Sequence, residues 1–227
     1  MGRPKNGYVG PNGESIPGVT TILGRSKPAG ALIHWAWKLG LDGVDYRAAR
    51  DTAAGIGSDV HDRIDRFLRM GIDSASVLPD ESERTKSDLA YAAWHRWWSE
   101  RGLWMESTEE ALISPELGYA GTYDGLAHDA DGRLVLLDWK TSRGIYPEAT
   151  SQCAAYASLL WECKRVLVSR VEIINATKEG EVSHLGYDLP RDMSEHAPWR
   201  AFQAALSLYK EDEHLKALVK GVERIGA

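Results

Sequence analysis

Residues 134–144, LVLLDWKTSRG, place a carboxylate and an amine at the end of an apolar run. The run is typical of a buried strand, and alternate residues of a strand project from one face, so Asp138 and Lys140 share a face. Charge buried at the edge of a core is costly unless it is paired or bound to a metal. The segment therefore predicts either a salt bridge between the two side chains or a site for a cation.

A second carboxylate, Asp124, lies in the preceding segment YAGTYDGLAHD, which the turn at 129–132 joins to the first as a hairpin. Pairing position 128 with 133 brings Asp124 beside position 137 or 138. Two clustered carboxylates repel each other unless a proton or a cation lies between them. Because oxygen ligands favour Mg²⁺ or Mn²⁺, we expect a divalent-metal site with Lys140 beside the metal-bound water.

Two further residues are candidate metal ligands. Helical periodicity places His61 on an apolar stripe with Gly57, where the glycine permits a close approach. The alternative for His61 is a hydrogen-bonded core residue. Glu109 and Glu110 are consecutive on a predicted strand, so only one faces the site, and spacing favours Glu109; the alternative is a solvent-facing glutamate.

Polar residues that follow the strand are candidates for binding a substrate. Gln152 and Tyr156 are four residues apart on a predicted helix and share a face, so they could reach a phosphate or a base, or complete core packing. Thr141 and Ser142 directly follow Lys140 and are further candidates. An aromatic stripe at Tyr91, Trp94 and Trp98 favours a core role over base stacking, and of Trp35 and Trp37 at least one is expected to be exposed.

The elements that must position these residues form an α/β (α+β) fold with a central mixed sheet flanked by helices. Residues 1–27 are rich in Gly, Pro and Thr and are interpreted as a loop with a short extended piece. We expect helices over 28–40, 53–71, 83–102, 147–162 and from about 196 to the end, and strands over 103–114, 119–129, 133–141, 169–177 and 181–189. The prediction is one domain: a mainly helical part (1–102), a sheet core (103–190) and a C-terminal helix (191–227).

Composition narrows the class of protein. The 227 residues carry a net charge of −6, yet residues 1–50 are positive. This distribution is expected of a DNA-binding protein whose carboxylates gather around metal ions, and equally of a protein with a solvated basic surface. Cys153 and Cys163 are expected to be buried thiols, and two cysteines cannot form a four-thiolate cluster. Without a long apolar run or a secretory pattern, we expect a soluble intracellular protein with no membrane partner.

Four segments in order, GSDVH, GYAGTYDGLAHD, LVLLDWKTS and SQCAAYASL, resemble the PD-(D/E)xK nuclease superfamily. The similarity covers roughly residues 16 to 176 and points to the RecB-like exonuclease branch, which includes phage exonucleases and the mitochondrial genome-maintenance exonuclease. IPGVTTILG and the Trp-Ala-Trp-Lys stretch resemble the amino-terminal region of those proteins. The resemblance implies a restriction-endonuclease-like core and a metal-dependent exonuclease that hydrolyses DNA.

Carried over by residue, the resemblance implies that His61, Asp124, Asp138 and the Trp139 main-chain carbonyl bind metal and that Lys140 is catalytic. Gln152 and Tyr156 match a Gln-x-x-x-Tyr element associated with DNA contact, and Glu109 matches an accessory acidic position. The implied cofactor is one or two Mg²⁺ or Mn²⁺ ions. The implied setting is DNA recombination, repair or replication in the cytoplasm of a bacterial or phage-infected cell, with a recombinase or a single-strand-binding protein as a candidate partner.

The chain departs from several RecB-like relatives because it lacks their four cluster-binding cysteines, so the resemblance implies a subgroup without an iron–sulfur cluster. It also has no Gly-x-x-x-x-Gly-Lys-Ser/Thr loop, so no bound nucleotide is expected. Alternatives are a non-catalytic DNA-binding scaffold, a structure-specific endonuclease and a zinc hydrolase. The zinc hydrolase is disfavoured because the sequence contains no recognisable zinc-binding spacing of histidines. The polarity of cleavage, the strand preference and the oligomeric state stay open.

Overall fold

The computed structural model describes residues 7–27, 29–71, 78–79 and 81–220. Its helices are α1 (Val19–Ser26), α2 (Gly30–Leu41), α3 (Tyr46–Met70), α4 (Lys86–Ser99), α5 (Pro147–Lys164) and α6 (Ala197–Val219), with a 3₁₀ turn at Glu81–Glu83. Its strands are β1 (Tyr8–Val9), β2 (Ser15–Ile16), β3 (Trp104–Ser114), β4 (Tyr119–His128), β5 (Leu134–Lys140), β6 (Arg170–Ala176) and β7 (Val182–Asp188).

The central sheet has five strands in the order β3-β4-β5-β6-β7. Hairpins join β3 to β4, β4 to β5 and β6 to β7, so these pairs are antiparallel. Strands β5 and β6 are parallel, because helix α5 carries the chain back across the sheet between them. The sheet is therefore mixed and flanked by helices, which confirms the predicted fold class.

The sheet separates two apolar cores. Helices α1, α5 and α6 cover one face, where Leu136 and Phe202 are fully buried. Helices α3 and α4 cover the other face, where Leu137 and Trp94 are fully buried. Consecutive residues of β5 thus enter opposite cores, which explains why this strand is an unbroken apolar run. The aromatic stripe of α4 belongs to the second core, as predicted.

Helix α1 corrects the prediction of a loop over residues 1–27; residues 1–6 lie outside the described part of the chain. Val19, Ile22 and Leu23 follow helical spacing and are buried against the core formed with α5 and α6. Tertiary packing of this short apolar stripe outweighs the Gly, Pro and Thr composition that favours a loop. Residue 28, the predicted start of the next helix, also lies outside the described residues, and α2 begins at Gly30.

Smaller features agree with the sequence in part. Helix α3 ends at Gly71, whose left-handed φ of 65° is the helix-ending conformation that glycine adopts readily. Both cysteines are free, but only Cys153 is buried; Cys163 is exposed, so its predicted burial is wrong. Trp37 is 58% exposed, as expected for one of the two tryptophans of α2. In the described part of the chain, no helix is long and apolar enough to cross a membrane.

Candidate active site

The site begins where β4 and β5 separate. Their paired register ends at Gly125 and Leu137, and beyond this point Asp124 Oδ2 accepts a hydrogen bond from the Trp139 main-chain N–H at 2.8 Å. His128 pairs with Leu134, so the predicted register is wrong by one residue. Extended by one residue, the observed register places Asp124 opposite position 138, one of the two positions predicted, and a slip of one residue would have turned the Asp124 side chain to the other face of the sheet.

Asp138 and Lys140 form the salt bridge that the sequence allowed. Lys140 Nζ lies 2.7 Å from the Asp138 carboxylate and donates a hydrogen bond to Oδ1. Asp138 is fully buried, and both of its carboxylate oxygens lie 2.7 Å from Lys140 Nζ. The two side chains therefore share one face of β5, as predicted.

The protonation of this pair follows from its surroundings. Burial raises the pKa of Asp138 above its usual range, while Lys140 opposes the rise and Asp124 adds to it. Burial lowers the pKa of Lys140, but attraction to Asp138 and Asp124 outweighs that effect and leaves the pKa raised. Lys140 is therefore an ammonium ion at neutral pH in this arrangement.

A cavity of about 570 Å³ opens above these residues. The predicted site residues in its wall come from α3, three strands, the loop after β5, and α5: His61, Glu109, Asp124, Trp139, Lys140, Thr141, Ser142, Gln152 and Tyr156. Asp138 is not among the described residues that line it, because this carboxylate lies beneath the Lys140 ammonium. The fold thus brings all the predicted side chains to one place, with Asp138 under the surface.

His61 lies beside Asp124 in the cavity wall. His61 Nδ1 lies 3.7 Å from Asp124 Oδ1, and its side chain is 27% exposed. Helix α3 comes close here because Gly57 has no side chain: a Cβ at this position would lie 3.2 Å from Thr141 Oγ1. His61 therefore faces the cavity through the close approach that the sequence suggested.

Glu109 faces the cavity and Glu110 does not, as the spacing favoured. Glu110 accepts a hydrogen bond from Tyr123 and pairs with Lys164 on the other side of the strand. Burial raises the pKa of Glu109, and the negative charges of Asp65 and Asp124 add to the rise. Glu109 also has a φ of 46°, a strained value for a residue with a side chain, and such strain is common at functional positions.

Gln152 and Tyr156 support the lysine. Gln152 Oε1 accepts a hydrogen bond from Lys140 Nζ at 3.3 Å, and Gln152 Nε2 donates to the Tyr156 hydroxyl at 2.9 Å. Tyr156 is only 4% exposed, and its burial raises the pKa of the phenol well above the usual range. This chain of contacts holds the Lys140 ammonium at the cavity wall.

Asn175, which the sequence patterns did not single out, supports the loop after Lys140. Asn175 pairs with Lys140 in the parallel register of β5 and β6 and is fully buried. Its Oδ1 accepts a hydrogen bond from the Ser142 main-chain N–H at 3.1 Å. A single amide among the apolar residues of VEIINA was the available signal, but only the parallel register relates it to Lys140.

Charge at the cavity favours a bound cation. Asp124, Asp138 and Glu109 outnumber the two lysines at the cavity, Lys140 and Lys178, and mutual repulsion contributes to the raised pKa values of Asp138 and Glu109. Carboxylate oxygens and an imidazole are donors that suit Mg²⁺ or Mn²⁺. Within the described residues, however, no three His, Cys, Asp or Glu side chains already form a preassembled metal site. The side chains are of the chemical type that binds a divalent ion. In this structure the Lys140 ammonium is the positive charge beside Asp138.

We expect Gly121→Ala to weaken the protein, because a Cβ at this position would lie 2.5 Å from Tyr156 Cε1. The buried ring must then shift, at a cost of about 1–3 kcal/mol in the free energy of unfolding. Urea denaturation measures this loss. As a matched control, Gly55→Ala in α3 meets no described atom within 4 Å and should stabilise the helix by up to about 1 kcal/mol. Equal stability of the two variants would contradict tight packing at Tyr156.

The comparisons with known proteins add little to this geometry. A scan against protein-family models and a search of curated proteins find no match for this chain. Among solved structures, it is similar to a protein from Eubacterium rectale described as a "Putative exonuclease", with a TM-score of 0.41 and 12% identity over 74% of this chain and 69% of that chain. It is also similar to an alkaline exonuclease from Laribacter hongkongensis, with a TM-score of 0.33 and 16% identity over 63% of this chain and 77% of that chain. Similarities at this level carry no argument about function, which is therefore derived from the side chains of the site.

Proposed function

We propose that this protein is a divalent-metal-dependent DNA exonuclease of the PD-(D/E)xK type, in the RecB-like branch. The observation that carries the proposal is the meeting of Asp124 and Lys140 in one cavity wall, with Asp138 buried beneath the lysine. Two acidic side chains and a lysine at the point where two adjacent strands separate form a constellation suited to phosphodiester hydrolysis. The proposed setting is DNA recombination, repair or replication in the cytoplasm of a bacterial or phage-infected cell.

Asp124, Asp138 and His61 would hold one Mg²⁺ or Mn²⁺ ion, with the Trp139 main-chain carbonyl and Glu109 as further donors. Bound there, such an ion lowers the pKa of a water molecule and polarises the phosphoryl oxygens. Asp124 is oriented for this role. The Trp139 main-chain N–H donates a hydrogen bond to its Oδ2 and fixes the carboxylate, while Oδ1 faces His61. Hydrogen bonds of this kind orient a ligand and tune its basicity.

Lys140 supplies positive charge at a fixed position. Its raised pKa favours the ammonium form, which is suited to neutralise charge on a phosphoryl oxygen. Asp138 and Gln152 hold the ammonium from two directions, and Tyr156 in turn holds Gln152. Such preorganisation avoids the cost of rearranging dipoles during the reaction. Thr141 and Ser142 are proposed to contact the substrate next to this lysine.

The test is digestion of end-labelled single-stranded and double-stranded DNA, with a covalently closed circle as control, in Mg²⁺, Mn²⁺, Zn²⁺ or EDTA. We expect release of nucleotides from linear DNA in Mg²⁺ or Mn²⁺, no cleavage of the circle, and no activity in EDTA. Cleavage of the circle would favour an endonuclease, and activity only in Zn²⁺ would favour a zinc hydrolase. Binding of DNA without cleavage in any metal would favour a non-catalytic scaffold and end the exonuclease proposal.

A further inference from the structure

A continuous groove leads away from the active-site cavity. That cavity shares Ala53 and Lys178 with a neighbouring cavity of about 320 Å³, and the latter shares Trp35 and Arg143 with a third cavity of about 800 Å³. The second and third cavities together are called the entry groove. The residues on which the argument rests are Trp35, Lys86, Arg143, Tyr146 and Lys178.

The entry groove carries positive charge without matching carboxylates. The part of the groove next to the active-site cavity is lined by Lys86, Arg143 and Lys178. Among the described residues of this wall, Glu179 is the one acidic residue. Among the described residues none of these three cations forms a salt bridge, although Glu179 attracts Lys178. Burial lowers the pKa of Lys178, and repulsion from Lys86 lowers it further. An anion between these side chains would relieve the repulsion.

The groove also presents aromatic surface to a ligand. Tyr146 is 50% exposed, and Trp35 is partly exposed on the same wall as Arg143. At the far end, Glu148 is neutralised by Lys27, whose Nζ lies 2.6 Å from Glu148 Oε1. Aromatic rings in a positively charged groove are the combination that binds single-stranded nucleic acid, because every unpaired base has a face that can stack. The bases of a duplex are already stacked on each other and are less available to such rings.

We propose that the entry groove binds single-stranded DNA and guides it to the active-site cavity. Lys86, Arg143 and Lys178 hold the phosphates, and Trp35 and Tyr146 stack on unpaired bases. This inference rests on the proposed nuclease function, since it names the form of DNA that reaches Lys140. It gives Trp35 of α2, in the positively charged segment 1–50, a role in gripping the substrate.

The test measures binding without catalysis, by fluorescence anisotropy of labelled oligonucleotides in EDTA. The wild-type protein is expected to bind a single strand more tightly than a blunt duplex of equal length. Trp35→Ala and Tyr146→Ala should each weaken single-strand binding about tenfold and change duplex binding much less. Arg143→Ala should reduce the slope of log affinity against log salt concentration by about 0.7, the value for one phosphate contact on a single strand.

Matched controls come from outside the entry groove. Trp37 is on the same helix as Trp35 but does not line the groove, and Arg200 is an exposed cation of α6. Trp37→Ala and Arg200→Ala should bind like the wild type. Unchanged single-strand affinity in Trp35→Ala and Tyr146→Ala, or equal losses for duplex, would overturn the proposal.

The outcome separates this inference from the proposed function. If the variants lose single-strand binding but the wild type cleaves no DNA in Mg²⁺ or Mn²⁺, the groove stands and the nuclease assignment fails. If the wild type cleaves DNA and the variants bind normally, the nuclease assignment stands and the groove is overturned.

Discussion

Asp124→Asn is expected to reduce DNA cleavage by at least about a hundredfold, the loss that follows removal of one preorganised electrostatic group. The substitution removes the charge that would bind a cation but keeps an oxygen in place. That oxygen can still accept the Trp139 N–H, so the hydrogen bond at the end of β5 is retained. Release of labelled nucleotides under single-turnover conditions measures the loss.

The choice of asparagine keeps folding separate from function. Asp124→Ala would leave the Trp139 N–H without its acceptor, at a cost of about 1–3 kcal/mol. Asp124→Asn should unfold within about 1 kcal/mol of the wild type in urea. Glu110→Gln is the matched control: this carboxylate lies on the neighbouring strand, pairs with Lys164 and points away from the cavity. Normal cleavage by Asp124→Asn would contradict the proposed metal site.

Lys140→Ala is expected to abolish cleavage and also to destabilise the fold. Removal of the ammonium leaves the fully buried Asp138 carboxylate without its cation, at a cost of about 3–5 kcal/mol near neutral pH. Cleavage should fall by at least about a hundredfold, because the fixed positive charge beside the phosphate is lost. Urea denaturation and the single-turnover assay measure the two effects separately.

The destabilisation should depend on pH in a definite direction. Burial raises the pKa of Asp138, and removal of Lys140 raises it further, so the folded variant favours the neutral acid. The unfolded chain has a carboxyl pKa of about 3.9 and ionises first as the pH rises. Stability of Lys140→Ala is therefore largest in acid and falls as the pH rises from about 4 through the raised folded-state pKa. The free energy of unfolding should be higher at pH 5 than at pH 8.

A double variant separates the two roles of the lysine. Lys140→Ala with Asp138→Asn removes the buried charge, so most of the lost stability should return and its dependence on pH should disappear. Cleavage should not return, because both the ammonium and the carboxylate are absent. A double variant that stays as unstable as Lys140→Ala would show that the loss of stability does not come from a buried charge.

Short-range patterns determined much of the site. The two-residue period of β5 put Asp138 and Lys140 on one face, and the helical period of α5 did the same for Gln152 and Tyr156. A short turn between β4 and β5 brought Asp124 to the end of β5 within one residue of the predicted register. These relations depend on covalent connections of a few residues, so the sequence by itself was sufficient to predict them.

Relations between distant segments were decided by the tertiary structure alone. The sequence could not place Asp138 beneath the cavity or Asn175 beside Lys140, because both depend on how β5 packs against α5 and β6. It missed α1, whose short apolar stripe forms a helix only against a core built from later segments. The entry groove likewise joins α2, the loop before α5 and the turn after β6. Such contacts depend on the complementary shape and charge of surfaces far apart in the chain, and the periodicity of a single segment contains no information about them.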